Sequence, residues 1–276
     1  MRFWSRFKKD KLGMLSLLII LIIMIAGILA PVIAPNDPTL IDVKIKFMGM
    51  SMKYPFGTDQ LGRCVFSRIL YGIRTTVFLS IVTMIATIAI GTIFGVIAAF
   101  FRGFVDEVIM RICDIMLSFP SEVMILSIVG IMGIGINNII IANIIAKWAW
   151  YTRMIRGIVI QYTDKNYIKF AKVSGCSTFH IIKKHLIPKA MGEIGVLASL
   201  DTGWVILNIS ALSFLGLGVQ APTAEWGMML SEAKNIMTIY PQQMLPAGFA
   251  ILIVVASFNF LGDSLQAALN PKQNIE

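Results

Sequence analysis

The amino-acid sequence predicts an all-α protein that spans a membrane about six times. Of its 276 residues, 57% are hydrophobic and only 14% are charged, and its mean hydropathy is +0.80. About a quarter of the residues in soluble globular chains are charged, so too few polar side chains remain here to cover a water-exposed surface. The composition excludes a disordered chain, a disulfide-rich secreted module and a nucleic-acid-binding domain.

Six apolar stretches are long enough to cross a hydrocarbon core of about 30 Å. The first, residues 12–36, is uncharged and follows a basic N-terminus. Because it exceeds the apolar length of a cleaved signal peptide, we expect a retained helix that ends at Pro31, Pro35 and Pro38. The other five helices are predicted at 75–101, 108–132, 139–160, 192–215 and 245–267.

The positions of lysine and arginine predict the orientation of these helices in a bacterial cell membrane. The net charge is +9, and residues 161–191 hold six lysines against Asp164 alone. Loops rich in lysine and arginine stay inside, so we place both termini, the turn at 102–107 and residues 161–191 in the cytoplasm. The external stretch 36–74 departs from this rule because it also holds six basic residues, namely Lys44, Lys46, Lys53, Arg63, Arg68 and Arg74.

We expect one membrane domain in three parts. Residues 1–71 form an N-terminal transmembrane helix and an external segment. Residues 72–267 form a core of five helices that includes the loop 161–191. Residues 268–276 form a cytoplasmic tail.

The sequence predicts no catalytic, cofactor or metal site. It lacks the phosphate-binding pattern G-x-x-x-x-G-K-[ST], the zinc pattern H-E-x-x-H and the nucleophile pattern G-x-S-x-G. The two histidines, His180 and His185, lie in a basic loop, and three cysteines are widely separated. We therefore expect any ATP to bind elsewhere than in this chain.

Ionisable residues inside the predicted spans are the next candidates, because burying charge in a bilayer is costly. Asp201 either contributes to a polar translocation path or pairs with a polar neighbour that fixes helix packing, and the sequence favours neither. Asp263 is interpreted as a packing residue near the cytoplasmic end. Lys147, beside Trp148 and Trp150, is interpreted as an anchor at the membrane interface.

The external loop after the fifth span is rich in helix breakers. Gly216, Gly218, Gly227, Pro222 and Pro241 exclude one regular helix there. The loop is either a folded cap over a cavity or an ordinary turn-rich connection.

Residues 167–188 predict a helical hairpin. Lys169 and Lys172 share one face of its first helix and Ala171 another, and a break follows at Ser174 and Gly175. Ser177 is expected to cap a second helix, which carries an apolar stripe of Phe179, Ile182 and Leu186 and ends at Pro188. Such a hairpin suits docking into a groove of another protein, and the alternative is a basic loop held by anionic lipid headgroups.

This segment resembles the cytoplasmic coupling loop of binding-protein-dependent ABC importer permeases. Their pattern, E-A-A, three residues, G, nine residues, I-x-L-P, falls here on Lys169, Phe170, Ala171, Gly175, His185, Ile187 and Pro188. Ala171, Gly175 and Pro188 match strictly, whereas a lysine replaces the glutamate.

Further segments are similar to dipeptide, oligopeptide and nickel permeases of the C-subunit type. They are FGTDQLGR at 56–63, VDEVIMR at 105–111, SFP at 118–120, SFLGLG at 213–218 and PTAEWG at 222–227. Within this group, the run WAWYTRMIR at 148–156 and the surroundings of Asp201 look more like nickel permeases.

The resemblance implies a type I ABC importer permease fold with cytoplasmic coupling helices. It also implies four kinds of partner: a second permease that completes a heterodimer, two cytosolic ATPases that bind ATP, an external solute-binding protein and the lipid bilayer. This chain would be non-catalytic and form half of the path for nickel, cobalt or a metal chelate, with di- or oligopeptides as the alternative. Within this coupling loop, we expect Ala171, Gly175 and Pro188 to set the geometry of the hairpin and Phe170, Phe179 and Ile182 to dock into the ATPase. Lys169 and His185 occupy further positions of the family pattern.

Two hypotheses from other classes remain at this point. An autonomous secondary carrier or channel would use Asp201 as a proton or cation relay. A membrane enzyme would need an assembled nucleophile, base or metal cluster, and the sequence offers no such set.

Overall fold

The computed structural model describes residues 2–269, which form helices, turns and one isolated β-bridge between Thr58 and Cys64. The first helices in chain order are α1 (Arg2–Phe7), α2 (Lys11–Ile28), α3 (Ala30–Ile33), α4 (Val65–Ile73), α5 (Leu79–Phe101), α6 (Gly103–Leu117) and α7 (Ser121–Met132). They are followed by α8 (Ile136–Thr163), α9 (Asn166–Val173), α10 (Thr178–Ile181), α11 (Ile187–Phe214), α12 (Trp226–Lys234) and α13 (Leu245–Leu269).

Four helical rods are long and apolar enough to cross a membrane: Lys11–Ile28, Val65–Phe101, Thr178–Phe214 and Pro241–Leu269. The bent pair α6 and α7 adds a fifth if the two helices cross together. Helix α8 has 28 residues, but Lys147, Arg153 and Arg156 make it more polar. By length and composition the described residues thus give four or five spans where the sequence predicts six.

The prediction of one helix over 108–132 is wrong, because the chain bends by 81° between α6 and α7. Pro120 lacks an N–H and disfavours helical backbone in the residue before it, so helix α6 stops at Leu117. The bend sets acidic side chains of α6 against α8. The guanidinium of Arg156 donates two hydrogen bonds of 2.5 Å to Asp106, and Arg153 pairs with Asp114.

The second predicted span also begins earlier than expected. Helix α4 starts at Val65 and continues through a π-helical turn, Arg74–Phe78, into α5. Arg74 therefore belongs to the rod Val65–Phe101 and not to a loop before it. A π turn inserts an extra residue without breaking the backbone hydrogen bonding, which the apolar pattern alone does not reveal.

Two apolar clusters hold the helices together, and α11 contributes to both. One cluster contains residues of α5, α7, α8, α9 and α11, and the other contains residues of α1, α2, α4, α12 and α13 together with Ile206 of α11. The close contact between α5 and α8 requires glycine: a Cβ atom at Gly91 would lie 2.6 Å from the Tyr151 Cβ. Such small-residue contacts are typical of helices that pack within membranes.

Contacts between distant segments define the two ends of the molecule. At one end, the Gln243 amide donates to the Thr58 carbonyl oxygen, and the rings of Phe47 and Tyr240 stack 4.0 Å apart. At the other end, Arg102 binds Asp164 at 2.7 Å. These contacts pair the segments that the charge distribution assigns to each side. The predicted tail, 268–276, lies outside the described residues beyond Leu269.

A buried ion cluster joins the segment 36–64 to α12. Arg63 binds Asp59 at 2.6 Å and Glu232 at 2.7 Å, and Arg68 binds Glu232 at 3.0 Å. Both arginine side chains are 1% exposed. Two of the six basic residues that break the positive-inside pattern are thus neutralised within the protein.

Replacing Glu232 with alanine is expected to destabilise the protein by about 3 kcal/mol, because removing one partner of a buried ion pair strands the other charge. The measurement is the unfolding midpoint of the purified protein in detergent. Glu107→Ala is the matched control: Glu107 and its partner Arg111 are 68% and 74% exposed, so we expect a change below about 0.5 kcal/mol. Equal midpoints for both variants would contradict a structural role for the cluster.

Candidate functional site

The helical hairpin, defined here as residues 165–188, has a precise turn at its centre. The Gly175 N–H donates to the Lys172 carbonyl oxygen at 3.1 Å. The Cys176 N–H donates to the Ala171 carbonyl oxygen, also at 3.1 Å. These two bonds form a Schellman motif, which requires left-handed backbone at the residue after the cap. Gly175 supplies it with φ of +78°. The helix break predicted at Ser174 and Gly175 is confirmed.

The second arm of the hairpin begins at the predicted cap. The Ser177 hydroxyl oxygen accepts a hydrogen bond of 3.3 Å from the His180 N–H. This bond satisfies one of the free N–H groups of the first turn. Ser177 therefore starts α10 as the sequence predicts.

The side chains of the hairpin divide into an inner face and an exposed tip. Ile168, Ala171, Ile181 and Leu186 are buried against the apolar cluster of α5, α8 and α11. Phe170, Val173 and Phe179 at the tip are 74%, 89% and 72% exposed. Two large aromatic side chains thus face outward beside exposed lysines, an arrangement typical of a protein-binding surface.

The apolar stripe predicted for the second arm is not continuous. Phe179 is exposed, Ile182 is half-buried against the core, and Leu186 is fully buried. A π-helical turn, Ile182–Leu186, rotates the chain between them. Lys169 is exposed, whereas the half-buried His185 ring lies 6.4 Å from the ring of Tyr167 and 5.8 Å from that of His180.

The prediction that Pro188 ends the second helix is wrong. Pro188 stands in the first turn of α11, and the helical rod continues from Thr178 to Phe214. A proline is tolerated in a first turn, where its missing N–H would have no helical partner, and the preceding π turn relieves the clash of its ring with the earlier carbonyl group. The hairpin is therefore joined rigidly to a long apolar helix.

Polar side chains from three helices, most of them half-buried, interact where α7, α8 and α11 approach one another. The Asp201 carboxylate of α11 interacts with the Tyr151 hydroxyl and with Lys147, both on α8. The Lys147 ammonium nitrogen lies 3.6 Å from the centre of the Trp204 ring, and it also interacts with Glu122 of α7. We call this set the central polar cluster.

Both interpretations of Asp201 find support in the central polar cluster. Tyr151 and Lys147 are partners of the kind that fix helix packing, yet the Asp201 Oδ2 atom is buried without a hydrogen-bond partner. Lys147, interpreted from the sequence as an interfacial anchor, lies near the middle of α8, about 16 Å along the helix from Ile136, and contacts the Trp204 ring. Asp263 is exposed near the end of α13.

The loop after α11 folds into the bundle and is not an ordinary turn-rich connection. The buried Glu225 carboxylate accepts a hydrogen bond from the Thr76 hydroxyl at 3.0 Å. It also accepts one from the Met228 N–H at 2.8 Å, and through this bond Glu225 caps α12. Burial raises the pKa of Glu225 above the usual value for glutamate. Trp226, 2% exposed, donates from its indole N–H to the Ile69 carbonyl oxygen at 3.0 Å.

This folded loop borders a cavity of about 700 Å³ at the end of the molecule opposite the hairpin. Thr223 and Ala224 of the loop line it together with Asn36, Asp37 and Arg74. The interpretation of the loop as a folded cap beside a cavity agrees with this arrangement.

Sequence reasoning missed two parts of the site. The contact of Lys147 with Trp204 joins residues 57 positions apart, although the central position of Lys147 in a long apolar segment was a signal that it has a partner on another helix. The pairing of Thr76 with Glu225 spans 149 positions and has no local signal. Among residues 2–269, no three histidine, cysteine, aspartate or glutamate residues converge as a metal site.

Two family descriptions match the sequence. Residues 91–275 match the binding-protein-dependent transport system inner membrane component. Residues 1–49 match the N-terminal transmembrane domain of oligopeptide transport permease C.

Known proteins similar to this chain include three permeases. The metal-staphylopine import system permease protein CntC of Staphylococcus aureus is 44% identical over 97% of this chain and 93% of its own length. The nickel transport system permease protein NikC of Escherichia coli is 34% identical over 93% of each chain. The dipeptide transport system permease protein DppC of Alkalihalophilus pseudofirmus is 37% identical over 98% of this chain and 88% of its own.

The fold is also similar to a solved structure. A chain of the inward-facing MetNI methionine ABC transporter superposes with a TM-score of 0.59 and 16% identity, covering 74% of this chain and 97% of that one. This protein has the all-helical fold of a type I ABC importer permease and is a multi-pass protein of the cell membrane. With two thirds of its length matched by one family and nearly all of it by curated permeases, the chain belongs to the inner membrane components of binding-protein-dependent ABC importers.

Proposed function

We propose that this chain forms half of the translocation path of an ATP-driven importer for nickel, cobalt or a complex of such a metal with a small chelator. The observation that carries this proposal is 44% identity, over 97% of the chain, to a permease of a metal-staphylopine import system. The 34% identity to a nickel permease supports the same class of substrate. Membership of a binding-protein-dependent family favours the importer over an autonomous carrier or a membrane enzyme.

The second candidate substrate is a di- or oligopeptide. The 37% identity to a dipeptide permease and 36% identity to the glutathione transport system permease protein GsiD of Escherichia coli support it. Both candidates assign the same role to this chain, and they differ only in the solute that crosses.

The proposed assembly contains a second permease subunit, two cytosolic ATPases that bind and hydrolyse ATP, and an external solute-binding protein. Six spans follow if α8 and the bent pair α6 and α7 each cross once, which agrees with the contacts that pair segments at the two ends. Residues 1–71 would be an N-terminal addition to the core of 72–267. The separate family match of residues 1–49 supports this division.

The hairpin is the proposed lever between ATP hydrolysis and the gate. Phe170 and Phe179 would dock into the ATPase, because they are large, apolar and more than 70% exposed. Ala171, Gly175 and Pro188 would set the shape of the hairpin, while Lys169, Ile182 and His185 border the docking face. ATP-driven closure of the ATPases would shift the rod Thr178–Phe214 and open the translocation path to the outside. Such coupling requires two states of the permease that the ATPases bind differently.

Gly175→Val is expected to abolish transport and transport-stimulated ATP hydrolysis while the protein still inserts into the membrane. A β-branched residue at φ of +78° is strained by about 1–3 kcal/mol, so the turn would change shape. Gly175→Asn is the matched control, since asparagine tolerates left-handed backbone, and it should keep most of the activity. Normal uptake by the valine variant would contradict the lever.

Single cysteines at the hairpin tip test the proposed ATPase contact. In the complete importer, with native cysteines replaced, Phe179→Cys labelled with a thiol-reactive photo-cross-linker should form a covalent product with an ATPase subunit on illumination. Met52→Cys serves as the control, because residue 52 is fully exposed at the opposite end. Products with the ATPase from both positions, or from neither, would contradict the proposed docking.

Uptake by a deletion strain distinguishes the two candidate substrates. We expect the strain to lose accumulation of radiolabelled nickel supplied with a chelator, to keep accumulation of a labelled dipeptide, and to recover nickel uptake when the gene is restored. The opposite pattern would favour the peptide candidate. Unchanged uptake of both compounds would contradict the proposed function.

A further inference from the structure

The central polar cluster brings together two opposite charges that lie near the middle of two long helices. Lys147 lies near the middle of α8, and Asp201 lies near the middle of α11, about 21 Å along that helix from Ile187. Each charged side chain in the middle of a span costs about 2.5–3.5 kcal/mol on insertion scales. With α8 crossing the membrane as proposed above, the bundle carries this cost twice where α8 meets α11. A cost of this size that is not removed by a direct ion pair indicates a functional site.

The two charges interact but do not close a direct ion pair. Among the residues that the structure describes, no carboxylate lies within ion-pairing distance of the Lys147 nitrogen, which rests over the Trp204 ring at 3.6 Å. The Asp201 Oδ2 atom is buried and has no hydrogen-bond partner. Polar groups in a low-dielectric interior gain strongly from a hydrogen-bond partner. The Lys147 ammonium group can still donate to a ligand, and Asp201 Oδ2 can still accept from one.

Glu122, the third charged member of the cluster, also interacts with Lys147 but is exposed at the start of α7. Solvent screens an exposed charge, so the two half-buried charges, Lys147 and Asp201, select among ligands. A simple anion bound to Lys147 would also face the Asp201 carboxylate, and like charges about 4 Å apart cost about 4 kcal/mol at the effective dielectric of a partly buried site. A simple cation bound to Asp201 would face Lys147 with a similar penalty. A ligand that carries both signs avoids each repulsion.

We propose that Lys147 and Asp201 form a subsite for zwitterionic solutes with an amino-acid-like end. The ligand carboxylate binds the Lys147 ammonium group, and its amino group or bound cation faces Asp201 Oδ2. The Trp204 ring holds the lysine side chain in place, and the Tyr151 hydroxyl orients the aspartate. This inference rests on the proposed function, and it fits a metal chelate that carries both charges as well as a short peptide.

The subsite is tested in the complete importer reconstituted into proteoliposomes with its solute-binding protein. The probe is radiolabelled Ni²⁺ supplied with histidine or with histidinol, which lacks the carboxylate. The wild-type complex should transport the histidine complex about tenfold faster or more. Lys147→Met should reduce that ratio to about one, whereas Lys147→Arg, which keeps the cation, should preserve most of it. All complexes contain the same solute-binding protein. Its preference for the histidine or the histidinol complex therefore affects every transport ratio equally and does not alter the comparison between variants.

Lys234→Met is the matched control, because Lys234 also rests over an aromatic ring, that of Phe214 at 5.4 Å, but lies outside the central polar cluster. It should leave the transport ratio unchanged. Detergent unfolding midpoints close to that of the wild type for all variants would exclude misfolding as the cause. Asp201→Asn, which keeps the shape of the side chain, provides a second variant and should slow transport of the histidine complex at least about tenfold.

The outcomes separate this inference from the proposed function. If the wild-type complex transports nickel–histidine and Lys147→Met keeps the wild-type ratio, the subsite is wrong while the importer stands. If the wild type transports no nickel complex, the same comparison is made with dialanine and its C-terminal amide. Transport of neither pair by the wild type would overturn the proposed function and the subsite together.

Discussion

One unbroken helical rod, from Thr178 to Phe214, connects every part of the molecule that we associate with function. Its first turns form the second arm of the hairpin, its middle carries Asp201 and Trp204, and its last turns pack against the folded loop that contains Glu225. The rod depends on the π-helical turn at Ile182–Leu186, which accommodates Pro188 without a break. A displacement applied at one end is thus carried along the whole rod, because a continuous helix does not compress.

The interior of the bundle combines strong apolar packing with a small number of costly polar groups. Around Gly91, α5 and α8 lie so close that a single methyl group would clash with Tyr151. Only a few Å further along α8, the Lys147 ammonium group meets an indole ring and not a carboxylate. The tight contact gives the helices a fixed geometry, and that geometry keeps the unpaired charges apart.

Much of this architecture follows from the sequence, and the errors have identifiable causes. The apolar stretches, the Ser177 cap, the Gly175 turn and the pairing of segments at the two ends of the bundle all depend on local pattern or on charge. Three features were not predicted: the bend before Ser121, the continuation of the helix through Pro188 and the early start at Val65. Each depends on the conformation of a single backbone turn, which is decided by the packing of neighbouring residues. The burial of Ile182 and Leu186 also depends on a π turn, which rotates these side chains relative to a regular α-helix. A prediction based on a period of about 3.6 residues does not include this rotation.

The candidate site shows the same division. The residues of the hairpin are contiguous, so spacing alone brings them together, and their burial agrees with the predicted inner face at Ala171. The central polar cluster and the contact of Thr76 with Glu225 join separate helices, and a single sequence holds no information on which helices become neighbours. Composition identifies such residues as unusual, but only the packed bundle identifies their partners.

The ion cluster of Arg63, Arg68 and Glu232 has a consequence for biosynthesis. Glu232 follows Arg68 by 164 residues, which take roughly 8 to 33 s to synthesise at common translation rates. During that interval Asp59 is the acid of the cluster that is already available to the two guanidinium groups. The ion cluster can therefore be completed only after the ribosome has produced most of the chain, and a product truncated before Glu232 leaves both arginines without this partner.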